Sequence, residues 1–368
     1  MIFERIYKNK RVLITGHTGF KGSWLALWLN HLGAKVSGVS NEIPTEPSNF
    51  MVSDVISKVD DFRFDISDKL KVVEAIKAIQ PDFIFNLAAQ PLVIKSYNDP
   101  YQTVLTNAIG SMNILDAVRL LGKKVNCIMI TSDKVYNNKE TEIGYVESDE
   151  IGGKDPYSAS KGMAELVIKT YVNSFFINSD SMINVGVARA GNVIGGGDWA
   201  DDRIIPDCIR SWSKKESVTI RNPNSTRPWQ HVLEPLSGYL TLGSFLEEGK
   251  IKNGEAFNFG PPKNYNYSVL ELITEMQNYL GKYKINILDR KNKEFSEAGL
   301  LRLNCEKANK HLEWFPTLKF DEMVKMTSEW YKFFHSGNSV NMQDYSLEQI
   351  DNYTYFAKKR GIFWSKHD

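Results

Sequence analysis

Tyr157 and Lys161 stand four residues apart in the run Tyr157-Ser158-Ala159-Ser160-Lys161, a spacing that puts a phenol and an ammonium on one face of a helix. An ammonium beside a phenol stabilises the phenolate and lowers its pKa, so the pair can take a proton from a sugar or alcohol hydroxyl during hydride transfer. Thr131-Ser132-Asp133-Lys134 follows an apolar run and presents a hydroxyl, a carboxylate and an amine at the carboxyl end of a strand, where ligands of open α/β sheets bind. Ser132 can hydrogen-bond the reacting oxygen and Asp133 can protonate a leaving hydroxyl. Lys134, with its charge suppressed by burial or neighbours, can exchange a proton with carbon. Each group has a plainer reading beside it: a surface pairing for Tyr157 with Lys161, a capped turn with a solvated salt bridge for the second run.

A third constellation is Arg189, Asn192, Arg203, Arg221 and Arg227. Arginine suits bidentate phosphate contacts, and several arriving from a second lobe suit a diphosphate-bearing substrate. Arg227-Pro228-Trp229-Gln230-His231 is the best candidate, because a rigid proline and a neighbouring aromatic can fix the guanidinium. The six histidines show no ligand pairing of the His-x-x-x-His kind, so no metal is expected.

These groups need a scaffold, and Val12 to Gly22 supplies its start. Val12-Leu13-Ile14-Thr15 is an apolar strand pattern, Gly16-His17-Thr18-Gly19-Phe20-Lys21-Gly22 a glycine turn, and Ser23-Trp24-Leu25-Ala26-Leu27-Trp28-Leu29 an apolar helix pattern. Gly16 lets the chain turn tightly, Gly19 lets backbone approach a pyrophosphate, and Gly22 lets the helix pack close; helix amides and dipole then face phosphates. Lys35 to Ser40 reads as the second strand. At its end, where an acid commonly holds the adenosine ribose, Ser40 and Asn41 stand, then Glu42, and the absence of Arg or Lys there leans to NAD over NADP. Phe62 to Ile66 ends a third strand; Asp65 with Ile66 covers the adenine or Asp65 caps a helix. Residues 82–90 form a fourth strand running into Leu87, Ala88, Ala89 and Gln90, small enough for backbone to pass a nicotinamide ribose. A helix over 103–121 and a fifth strand over 125–131 follow.

Strands alternating with helices argue for an α/β fold with a doubly wound parallel sheet of Rossmann type and a smaller C-terminal α/β substrate lobe. The alternation breaks at Gly195-Gly196-Gly197-Asp198. We therefore expect a dinucleotide domain over 1–190, rejoined by 232–250, and a substrate lobe from 191–231 and 251–368, with helices near 268–280, 305–311 and 320–334. The last thirty residues read as a packed tail or a subunit contact.

With 45 basic and 44 acidic residues among 368, no nucleic-acid or anionic-membrane partner is called for. Cys127, Cys208 and Cys305 give neither a disulfide framework nor metal spacing, which suits a reducing compartment. No run approaches the roughly 18 apolar residues of a membrane span. A cytoplasmic protein is expected.

The residues as a set resemble the nucleotide-sugar branch of the extended short-chain dehydrogenase/reductase family over nearly the whole chain. The likeness is carried by Gly16 to Trp24, Ala88-Ala89-Gln90-Pro91-Leu92-Val93, Thr131 to Lys134, Gly191-Asn192-Val193-Ile194-Gly195-Gly196-Gly197-Asp198-Trp199 and Arg227 to Pro235. It implies a 4,6-dehydratase that retains NAD and regenerates it each turnover, with CDP-glucose first among nucleotide-diphosphate sugar substrates and a deoxysugar for surface polysaccharide as the product's use. It also implies cofactor contacts from Gly16, Thr18, Gly19, Phe20, Lys21, Gly22, Asp65, Ile66, Leu87, Ala88, Ala89, Gln90, Thr106, Tyr157 and Lys161, and substrate contacts from Asn192, Arg203, Arg221 and Arg227. Ser132, Asp133, Lys134, Tyr157 and Lys161 take the catalytic roles. Related dTDP-glucose enzymes look to carry Glu where Lys134 stands, so Lys134 as the C5 base is a hypothesis. A homodimer or homotetramer, built through the tyrosine helix and the 103–121 helix, is also implied. Two other readings compete. An epimerase using Tyr157 and Lys161 has no leaving hydroxyl and no need of Asp133, and a silent NAD-binding protein has no need of Tyr157, Lys161 or Asp133.

Overall fold

The computed structural model describes residues 1–141, 143–178, 181–220, 222–263, 265–287, 301–337 and 341–366. Seven strands form one sheet: β1 (Arg11–Thr15), β2 (Lys35–Ser40), β3 (Asp60–Arg63), β4 (Phe83–Asn86), β5 (Val125–Ile130), β6 (Ile183–Ala190) and β7 (Ala256–Phe259). Their spatial order is β3-β2-β1-β4-β5-β6-β7 and every pairing is parallel. The strand order reverses between β1 and β4, which opens the crevice where such sheets bind ligands. Strands β1, β4 and β5 are apolar on both faces, as a sheet covered by helices on both sides requires. The expected doubly wound fold is present.

Three details differ from the sequence reading. The third strand stops at Arg63, two residues before Asp65. The helix expected over 103–121 starts earlier, as Pro100–Val104, widens for one turn over Leu105–Ile109, and runs on as Gly110–Arg119. The sheet also takes in Ala256–Phe259, inside the span assigned to the second lobe, so the return to the sheet extends past the helix Leu233–Glu247 to Phe259. A four-residue edge strand interrupted by Asn258 has too little apolar pattern to be read locally.

The C-terminal helix Met342–Lys359 packs onto the glycine-turn helix Phe20–His31, and Phe320–Phe334 joins the same core. The Trp24 indole donates to the Gly196 carbonyl at 2.8 Å, and Gly196 leaves no room for a Cβ because the Trp330 ring lies 2.0 Å from where it would stand. Trp28 meets Tyr353 and Trp364 edge-on, and Trp364 stacks on Phe3 at 4.9 Å. Residues from both parts share one apolar core, so the tail is packed within its own chain. Of the described residues, no helix is long and apolar enough to cross a membrane.

Candidate active site

Gly16 turns the chain out of β1 at φ +74°, a left-handed conformation that favours glycine, with backbone of Ala88 2.8 Å from a virtual Cβ. A Cβ on Gly22 would stand 2.1 Å from the Gly16 carbonyl oxygen, so the helix Phe20–His31 lies directly on the turn. Gly19 is its N-cap and brings no capping side chain, which leaves first-turn amides available to an anion. Lys21 sits in the cleft beside Arg203, Asp133 and Asp198, and burial pulls its pKa down to about 8. Thr18 is buried, its hydroxyl donating to the Glu42 carbonyl at 2.7 Å.

The tyrosine helix Pro156–Tyr171 is set by its first turn. Asp155 accepts the Ser158 amide at 2.9 Å as N-cap, and Pro156 occupies the first helical position, where its missing N–H costs nothing. Tyr157 thereby meets the turn after β5. Ser132 hydrogen-bonds the phenol, and its hydroxyl donates to the Asp133 carboxylate at 2.9 Å and accepts the Lys134 amide at 3.2 Å. The half-buried Lys134 holds its ammonium 5.9 Å from the centre of the Tyr157 ring. Ser132, Asp133, Lys134 and Tyr157 are therefore one cluster.

Its electrostatics depart from the expected lysine-lowered phenol. Burial pushes Tyr157 up to about 12, with Ser132 and Arg203 acting against that rise. Burial draws Lys161 down to about 8, and its ammonium points 3.5 Å from the Ile130 carbonyl. Taking both groups out of water favours their neutral forms more strongly than the ammonium favours phenolate. Burial also raises the Asp133 carboxyl above the ordinary carboxylate range, against Lys134, Ser132 and Lys21. That direction favours the protonated carboxyl, the form a general acid needs.

Around β4 the expected cofactor residues divide. Leu87 and Ala88 bend over the glycine turn, their amides donating to the Thr15 carbonyl and hydroxyl at 3.1 Å each, with Ala89 next and half-buried. The Gln90 side chain does not reach outward: its oxygen accepts the Leu92 amide at 2.7 Å and its nitrogen donates to Leu92 and Thr103. It braces the loop, so any cofactor contact there belongs to backbone. The Ile66 side chain is likewise core, filling the space over Gly110. Asp65 closes a local turn on the Ser67 amide at 2.8 Å and takes the Gln102 amide at 3.3 Å, which also donates to Thr106.

Of the arginines, Arg189 is corrected outright. It is buried among Glu165, which it grips through two nitrogens at 2.7 and 2.5 Å, the Tyr136 hydroxyl and the Glu147 carbonyl, so it is a structural ion pair and no phosphate ligand. Arg203 does face the cleft, held on Asp198 at 2.8 Å and close enough to Tyr157 to favour its phenolate. Asn192 lies on the neighbouring two-residue ribbon, its carbonyl accepting the Gln230 amide at 3.2 Å. Gly191 brings this segment against Asp133, whose carboxylate oxygen lies 3.2 Å from a virtual Cβ there. Arg227 is half-buried in a short ribbon paired with Tyr267. Arg221 lies outside the described residues.

Sequence reasoning missed Asn107. In the widened helical turn its side chain accepts the Gln90 amide at 2.8 Å and donates to the Ser160 hydroxyl at 2.8 Å, tying β4, its own helix and the tyrosine helix together. A buried polar residue on an otherwise apolar helix face was the available signal. Among the described residues no cluster of His, Cys, Asp and Glu could hold a metal ion.

The sequence profile described as GDP-mannose 4,6 dehydratase matches residues 13–327. A CDP-glucose 4,6-dehydratase of Salmonella typhimurium is 43% identical over 92% of this chain and 95% of its own, in line with the resemblance carried by the motifs. A CDP-paratose 2-epimerase of Salmonella typhi is 26% identical over 87% of this chain and 98% of its own. In shape the chain is similar to a dTDP-glucose 4,6-dehydratase from Streptomyces venezuelae solved with NAD bound, at TM-score 0.73, 20% identity and coverage of 88% and 97%. This chain belongs to the GDP-mannose 4,6 dehydratase family, within the nucleotide-sugar branch of the extended short-chain dehydrogenases/reductases.

Proposed function

We propose that the protein is a hydro-lyase that converts CDP-glucose to CDP-4-dehydro-6-deoxyglucose and water with a retained NAD. The observation that carries this reading is the buried Asp133 carboxyl, raised by burial, in one cluster with Ser132, Tyr157 and Lys134. An epimerase has a use for Tyr157 and Lys161 and none for such an acid. The 43% identical relative supports the same chemistry and the cytidine nucleotide.

The cradle fits a dinucleotide: Gly16 and Gly22 leave no side-chain bulk at the turn, Gly19 offers backbone, and Lys21 adds a cation. Bound there, NAD supplies the acceptor for the hydrogen leaving C4 and the donor for its return to C6. Tyr157, hydrogen-bonded to Ser132, takes the proton of the 4-hydroxyl as its phenolate, the form that Ser132 and Arg203 favour against burial. The 4-ketone acidifies the C5 proton, which passes to Lys134 in its neutral amine form. Asp133 then protonates the departing 6-hydroxyl, and Lys134 returns a solvent-exchanged proton to C5 as hydrogen reaches C6. Arg203, with Asn192, Arg221 and Arg227, is assigned to the diphosphate and its nucleoside. The reading places the enzyme in the cytoplasm, in deoxysugar supply for surface polysaccharide; its cysteines are all free.

We also assign a homodimer or homotetramer. Met163 and Leu166 on the tyrosine helix, with Tyr97 and Tyr101 on the helices beside it, expose apolar surface that a subunit contact would cover. Light scattering is expected to give at least twice the chain mass of 41.9 kDa; a single-chain mass overturns the assignment.

The test of function is to incubate the purified protein with CDP-glucose in heavy water without added cofactor. A 4-keto-6-deoxy product carrying deuterium at C5 is expected. A C4 epimer as the product overturns the reading in favour of an epimerase, and no turnover with CDP-, dTDP-, GDP- or UDP-glucose, even with NAD supplied, overturns it altogether.

A further inference from the structure

The end of β2, where a dinucleotide's adenosine ribose goes, carries the neutral Ser40, whose hydroxyl lies 3.5 Å from the Thr18 amide of the glycine turn. Ser40 and Asn41 themselves carry no charge to repel a 2′-phosphate. The neighbouring strand brings the opposite: β3 pairs in register so that Arg63 lies beside Ser40 and Asp61 beside Gly38. Registered residues of parallel strands share a face, so the guanidinium stands on the same side as Ser40 and the turn. An arginine in this place is the group that accommodates a 2′-phosphate.

Here, however, Arg63 is already engaged. Its Nε and Nη2 both donate to one Asp61 carboxylate oxygen, at 2.9 and 2.7 Å, while the guanidinium lies 5.2 Å from the centre of the Phe50 ring. The other Asp61 oxygen is 2.9 Å from His17 Nε2, and His17 fills the space over Gly38. Asp61 thus takes up the forked edge of the guanidinium with which arginine grips phosphate. It also sets a carboxylate against any second anion arriving there.

We propose that Asp61 determines the choice of NAD over NADP, by holding Arg63 away from the 2′ position and opposing a 2′-phosphate with its own charge. The inference rests on the dinucleotide reading above and deepens it: the preference belongs to the third strand, not to the second, where acids are ordinarily sought.

The protein is equilibrated with equal concentrations of NAD and NADP, and the nucleotide that stays bound after rapid desalting is identified by chromatography. The wild type is expected to hold mainly NAD. Asp61→Asn keeps an acceptor for His17 and releases the guanidinium charge, and is expected to move the bound ratio at least about tenfold toward NADP, the scale of a charge-assisted phosphate contact. Adding Arg63→Ala to that variant is expected to abolish the gain. Arg63→Ala alone, which leaves the carboxylate unopposed, is expected to lower the NADP share further, so the proposal stays testable even where Asp61→Asn fails to fold. A ratio unchanged in Asp61→Asn, a gain that persists without Arg63, an NADP share that does not fall in Arg63→Ala, or a wild type holding mainly NADP overturns the proposal and leaves the dinucleotide reading intact. A wild type that binds neither nucleotide overturns both.

Discussion

Asp133→Asn is expected to stall the reaction halfway. With substrate supplied, reduced cofactor builds up, seen as near-ultraviolet absorbance, while 4-keto-6-deoxy product falls about 10²- to 10⁴-fold, the usual worth of a positioned acid. The asymmetry follows from position. Tyr157, through its bond to Ser132, serves the first proton transfer, whereas Asp133 serves the departure of the 6-hydroxyl. The amide is nearly isosteric, which matters where Gly191 already leaves a carboxylate oxygen 3.2 Å from its virtual Cβ. Burial raises the Asp133 pKa, so its protonated form persists to higher pH than an ordinary carboxyl's and is lost as pH rises through the raised value. Dehydration in the wild type therefore weakens as pH rises through that value, and the variant lacks that limb. Tyr157→Phe provides the contrast, because it blocks the first step and shows no reduced cofactor. Equal loss of both half-reactions in Asp133→Asn would remove Asp133 from the acid's role.

The second large effect is on stability. Arg189 and Glu165 are 3% and 5% exposed in their side chains, and removing one partner of such a pair leaves an uncompensated buried charge. Arg189→Met is expected to cost about 3–5 kcal/mol in denaturant unfolding. Replacing both, as Glu165→Leu with Arg189→Met, is expected to cost clearly less, because no charge is then stranded. Glu165 also accepts the Thr131 hydroxyl at 2.7 Å, one residue before Ser132, so the single variant loses active-site order along with stability. A cost under about 1 kcal/mol for Arg189→Met, the range of an exposed pair, would show that water reaches the site.

This pair also marks where sequence reading stops. Tyr157 with Lys161 and the turn from Gly16 to Gly22 were legible because each works through local spacing, and helix or strand geometry then dictates who faces whom. Glu165 is one helical turn beyond Lys161, yet its partner arrives from β6, and no local pattern says that Arg189 points into the protein. Gln90 was counted among the cofactor contacts, and that its side chain is taken up by Leu92 and Thr103 is a matter of tertiary packing. The lysine's effect on the phenol was inferred from charge alone, and burial, which no short motif records, dominates and leaves the phenol raised. Asp61 and Arg63 were passed over because the eye goes to the end of β2. Only the strand pairing shows that β3 delivers a charge to the same place.

The aromatic seam between the glycine-turn helix and the C-terminal helices bears on how the cleft works as a mechanism. Trp24 is latched to Gly196, and Trp28, Tyr353, Trp364 and Phe3 interlock behind it. A swinging motion of the two halves about this seam would have to unzip a close-packed core, so that side acts as a fixed jaw. The jaw keeps the glycine turn and the segment 195–199 in constant alignment.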